Sequence, residues 1–74
     1  MQLQEAKNLQ YGDVLIFLPD MSRWRVNGQV KTWKKDPLRV QVPIKHGLYS
    51  FGYIDSNNYL RFEPEEKLRE AGII

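Results

Sequence analysis

From Val14 to Leu18 the chain is apolar without a break, "VLIFL", between the turn residues Gly12-Asp13 and a stop at Pro19. A short apolar run bounded by turn signals predicts a strand. The next segment, "RWRVNGQVKTWKK", alternates on both sides of Asn27-Gly28. That dipeptide predicts a two-residue type I′ hairpin turn, because both of its central positions need positive φ. The turn fixes a register of Val26 with Gln29, Arg25 with Val30, Trp24 with Lys31 and Arg23 with Thr32. One face of the ribbon then carries Trp24, Val26, Gln29, Lys31 and Trp33, and the other carries Arg23, Arg25, Val30, Thr32 and Lys34. Both tryptophans are expected in the core, since each buries about 150 to 250 Å² and a small domain has few other ways to fill its centre. On this register the aromatics and most of the bases lie on opposite surfaces.

In "DPLRVQVPIK", Leu38, Val40, Val42 and Ile44 alternate with Arg39, Gln41, Pro43 and Lys45, the pattern of a half-buried strand with a basic outer side. Pro43 points to an edge strand, because it cannot donate to a ladder. "GLYSFGYI" sets Tyr49, Phe51 and Tyr53 against Leu48, Ser50, Gly52 and Ile54, either as a core layer or as a platform on which exposed bases stack. "DSNN" is a turn and "YLRF" a further strand. The tail "EPEEKLREAGII" predicts a short helix with Pro64 near its first turn, acidic residues at its start and Gly72 at its C-cap. Leu68 and Ala71 are expected to face inward there, with Ile73 and Ile74 packing beyond the cap. Residues 2 to 8 suit a single helical turn. Short strands at this spacing predict a mainly β fold, a small antiparallel β-barrel of about five strands with a short C-terminal helix, in one domain over 1-74.

Length and composition narrow the picture. A chain of 74 residues buries only about 60% of its unfolded surface. With no cysteine, neither a disulfide nor a thiolate metal site can staple it. No apolar run is long enough to cross a bilayer, and "MQLQEAKNLQ" lacks the pattern of a signal peptide, so a cytoplasmic protein with no membrane partner is expected. The net charge of +2 is unevenly spread: −2 over residues 1 to 22, +6 over 23 to 46, and −2 over 47 to 74. Such a basic block points to an anionic partner or to a solvated face. The candidate phosphate contacts are Arg23, Arg25, Lys31, Lys34, Lys35, Arg39 and Lys45, with Tyr49, Phe51 and Tyr53 as candidate stacking residues.

"LQYGDVL", followed by a hairpin and short strands, resembles the small SH3-like barrels of ribosomal and transcription-associated modules. "GQVKTW" and "HGLYSFGYI" resemble the first two motifs of cold-shock OB barrels. The second resemblance implies an OB-like barrel in which Trp33, Phe51 and Tyr53 stack on single-stranded nucleic acid. The chain departs from that pattern: "LRVQVPI" inserts a strand between the motifs, and no third "VFVHF"-like motif follows.

The residues offer little chemistry. His46 has no cysteine to activate and no second histidine to share a metal, so an exposed turn residue is expected. Asp13 and Asp55 sit at turns, and Glu63 to Glu66 mark a helix start. No glycine-rich phosphate loop precedes a helix. A non-enzymatic binding module without a cofactor, a metal or a small-molecule substrate is therefore expected. Its partner is either nucleic acid or an acidic protein surface, the latter for an interaction or inhibitory module of the phage or mobile-element type that docks its basic face or offers a free edge strand.

Overall fold

In the computed structural model, which describes all 74 residues, a turn leads the chain into its first strand. Gly12 takes φ +90°, the Gln10 amide donates to Asp13 Oδ2 at 2.8 Å, and the Asp13 amide returns a bond to the Gln10 carbonyl at 3.0 Å. Six strands follow: β1 (Val14–Phe17), β2 (Ser22–Val26), β3 (Lys31–Trp33), β4 (Asp36–His46), β5 (Ser50–Asp55) and β6 (Phe62–Pro64). A 3-10 turn (Tyr59–Arg61) precedes β6, where the sequence suggested one strand over "YLRF". Two short helices, α1 (Leu3–Lys7) and α2 (Glu65–Glu70), stand at the two ends. All pairings are antiparallel and make one curled, half-barrel sheet in the order β3-β4-β2-β1-β6, with β5 also on β4. The barrel class and the C-terminal helix are as the pattern predicts.

The hairpin at Asn27-Gly28 is not formed. β2 pairs with β1 and with the end of β4, as Arg25↔Lys45 and Val26↔Ile44, while β3 pairs with the start of β4, as Lys31↔Gln41 and Thr32↔Val40. Since β5 occupies the other edge of β4, β2 and β3 are two parts of one interrupted strand running along the same side. The chain reverses later, at Lys34-Lys35, where Trp33 pairs with Asp36. Gly28 lacks the positive φ of a type I′ turn, which only Gly12, Gly47 and Gly72 show among the glycines. Burial explains the outcome. A hairpin would set Val30 on the face of Arg23 and Arg25, whereas the straight run brings Val30 to the same side as Val26, packed against the core.

The same geometry places Pro43 inside the sheet and not at an edge. Its carbonyl accepts from the Asn27 amide at 3.0 Å, and its ring fills the interruption after β2, so the missing N–H faces a break in the ladder. Inward-facing residues Leu15, Val26, Val40, Val42, Ile44, Ile54 and Phe62 form the core, which Met1 and Ala6 close from below. Leu38 leaves this row and is exposed, because the register shifts between Thr32 and Trp33 lift the start of β4 off the core. α2 covers the outer side of β1, where Ile16 is only 4% exposed, and buries Leu68. Ala71, Ile73 and Ile74, expected to pack, are exposed past the end of this short helix.

Candidate nucleic-acid interface

Alternation along the strands decides what the outer face carries. In β2, Trp24 and Val26 point inward, and Arg23 and Arg25 point outward. Because the chain runs on without a hairpin, the odd positions stay outside through β3, and Lys31 and Trp33 emerge on the face of Arg25. Across β4 that face holds Arg39, Gln41, Pro43 and Lys45, and across β5 it holds Phe51, Tyr53 and Asp55. The registers give direct rows: Val14, Arg25, Lys45 and Phe51 lie side by side across four strands, Pro43 stands opposite Tyr53, and Lys31, Gln41 and Asp55 form a third row. Bases and aromatics thus interleave on one surface. The expectation that they lie on opposite surfaces depended on the hairpin and falls with it.

The tryptophans part company. Trp24 is half-buried, packs against the core over Gly52, donates Nε1–H to Ser22 Oγ at 2.9 Å, and lies 5.3 Å from the His46 ring. Trp33 is not a core residue. Its ring is covered by the Arg39 guanidinium, with Cζ 3.9 Å from the ring centroid, and Lys31 Nζ lies 5.6 Å away. These are cation–π distances. The aromatic ladder of β5 also faces solvent, Phe51 being 66% and Tyr53 56% exposed. Tyr49, 89% exposed, lies in the loop between β4 and β5 and outside the ladder.

Of the seven basic candidates, Arg23 is committed elsewhere. Its guanidinium grips Glu65 of α2 through Nε at 2.9 Å and Nη2 at 3.2 Å. These hydrogen bonds hold the Glu65 carboxyl below the ordinary carboxylate range and raise Arg23. The other ion pairs join Met1, Lys67 and Arg69 to Glu5, Glu63 and Glu65, and none involves Arg25, Lys31, Lys34, Lys35, Arg39 or Lys45. Arg25 and Lys45 sit together in one row, Arg39 and Lys31 gather at Trp33, and Lys34 and Lys35 form the exposed turn at the tip. His46 is the last residue of β4, not a turn residue, and its Nδ1 is 2.7 Å from the Arg23 carbonyl.

Two further features escaped the sequence. The Asn58 carboxamide accepts from the Asp55 amide at 2.7 Å and donates to the Tyr53 carbonyl at 3.0 Å, capping one end of the free edge of β5. Where β5 and β6 do not meet, a largely apolar cleft of about 300 Å³ is lined by Phe17, Trp24, Ile44, Gly52, Tyr53 and Phe62 together with Asn58 and Arg61. No helix is long and apolar enough to cross a membrane. No known protein family, curated protein or solved structure matches the chain.

Proposed function

We propose that the protein is a non-enzymatic binding module that holds nucleic acid on the outer face of its sheet through phosphate contacts. The observation that carries this is the set of cations without carboxylate partners, Arg25, Lys45, Lys31 and Arg39, on one face beside exposed aromatic rings. Unpaired guanidinium and ammonium groups neutralise phosphates and release condensed counterions. Lys34 and Lys35 extend the charge at the tip, and Arg23, tied to Glu65, adds field without a free contact. The barrel suits an SH3-like arrangement better than an OB-like one, because its last strand returns through a 3-10 turn to pair with its first. A cytoplasmic setting goes with such a partner. The competing function, docking on an acidic protein, draws support from the unpaired edge of β5 and the exposed Leu48 and Tyr49 beside it.

Salt titration separates the two. Nonspecific nucleic-acid binding is expected with a dissociation constant on the order of 10⁻⁴ to 10⁻⁶ M at physiological salt. With about three to five phosphates neutralised, the log–log salt slope lies near about −2 to −4.5. The double change Arg25→Ala, Arg39→Ala flattens it by about one to two units while the domain stays folded. Absence of binding to DNA and RNA at about 50 mM salt and about 100 µM protein, where such affinities are measurable, rules nucleic acid out and leaves the acidic protein.

A further inference from the structure

Phosphate contacts serve a duplex and a single strand alike, and they leave unexplained why Phe51 and Tyr53 stand in solvent. Both rings project from the same side of β5, two residues apart, hence about 6.8 Å along the strand. Phe51 lies directly opposite Lys45, and Arg25 lies one strand further along the same row, so the ring has one cation beside it and a second beyond, both without carboxylate partners. A duplex stacks its base faces on one another and presents only phosphates and groove edges to a sheet. Exposed ring faces among cations gain contact only when the bases are unpaired, because every base has a π-face that an aromatic side chain can cover. Trp33 differs, since Arg39 already lies on its ring.

We propose that the outer face is selective for single-stranded nucleic acid, with Phe51 and Tyr53 each stacking on one base beside phosphates held by Arg25 and Lys45. Trp33 is a positioning residue, which aims the Arg39 guanidinium at the backbone and takes no base. The proposal rests on nucleic-acid binding as set out above and adds the form of the strand.

The test is fluorescence anisotropy of the full chain with a labelled mixed-sequence oligonucleotide of about 12 nucleotides, spanning the site of a small fold, free and annealed to its complement at one salt concentration. The free strand is expected to bind at least about tenfold more tightly than the duplex. Phe51→Ala with Tyr53→Ala lowers single-strand affinity on the order of tenfold per ring and leaves duplex affinity within about twofold. Phe51→Trp, which keeps a ring, preserves the preference. Trp33→Leu weakens both forms alike, through Arg39. Equal binding of the two forms by the parent protein, or an equal loss of both in the double variant, overturns the single-strand inference and leaves phosphate binding standing. No binding of either form overturns both.

Discussion

Gly28 occupies a site where a side chain has no room. A β-carbon built there falls 2.6 Å from Pro43 Cγ, closer than such contacts allow. Gly28→Ala is therefore expected to destabilise the protein by about 1 to 3 kcal/mol, the cost of overpacking. In a double-mutant cycle read by urea unfolding, Pro43→Ala should recover much of that loss. A cost indifferent to Pro43 would place the strain in the backbone instead. The tryptophans give a second comparison. Trp24→Ala removes a ring packed on the core and should cost about 3 kcal/mol, whereas Trp33→Ala, which frees only Arg39 and Lys31, should cost less than about 1 kcal/mol. Equal losses in thermal melts would contradict the inward and outward placement. The sequence marked Gly28 and both tryptophans as special positions. It could not reveal the contact with Pro43, because that contact joins segments whose pairing no local pattern specifies.

Between elements, the join of α2 to the sheet depends on pH. Arg23 hydrogen-bonds Glu65, and with it holds the carboxyl below its ordinary 4.5. A depressed folded-state value means stabilisation that is present above about 4.5 and lost as the pH falls through the depressed value. Glu65→Gln should remove that part of the acid limb from a stability–pH curve by lowering the neutral plateau below that of the parent protein; an unchanged limb would show that the pair carries no such linkage. Asn58 joins the end of β5 to its own turn, so Asn58→Ala should cost about 1 to 2 kcal/mol and open two more backbone groups on that edge. Sedimentation should then show stronger self-association, as unpaired edges invite. At this scale the sequence was legible for β1, β4, β5 and α2, where alternation or helix signals are strong. It misled at Asn27-Gly28, because the turn propensity of two residues was outweighed by the burial of Val26 and Val30 against β4. The basic half of the candidate site survived that error. Among the aromatics, Phe51 and Tyr53 stand exposed on β5 whatever happens at Asn27-Gly28, Tyr49 falls in the loop before them, and Trp33 reaches the outer face only because the chain runs straight on.

For the whole molecule, the half-barrel has one thin closure. Pairing within β2 to β5 is local, through turns at Lys34-Lys35 and at residues 47 to 49, whereas β1 and β6 join the two ends of the chain. β6 has only three residues, and its Pro64 has no amide to give. Distant closure carries more loop entropy than a hairpin, and little ladder offsets it here. The seam between β1 and β6 should therefore breathe while the β2 to β5 ribbon stays shut, carrying with it the bond from the Met1 ammonium to the Phe62 carbonyl. Native-state hydrogen exchange reads this directly. The Leu18 amide, held by the Arg61 carbonyl at 2.8 Å, should lose protection by a sub-global route, while Ile44 and Ile54 exchange only on global unfolding. Uniform protection would mean that the clasp and the ribbon melt as one. If the clasp opens alone, Phe17 and Phe62 at the apolar cleft meet water in a folded molecule, and the proposed binding face on β2, β4 and β5 is held by the part that does not move.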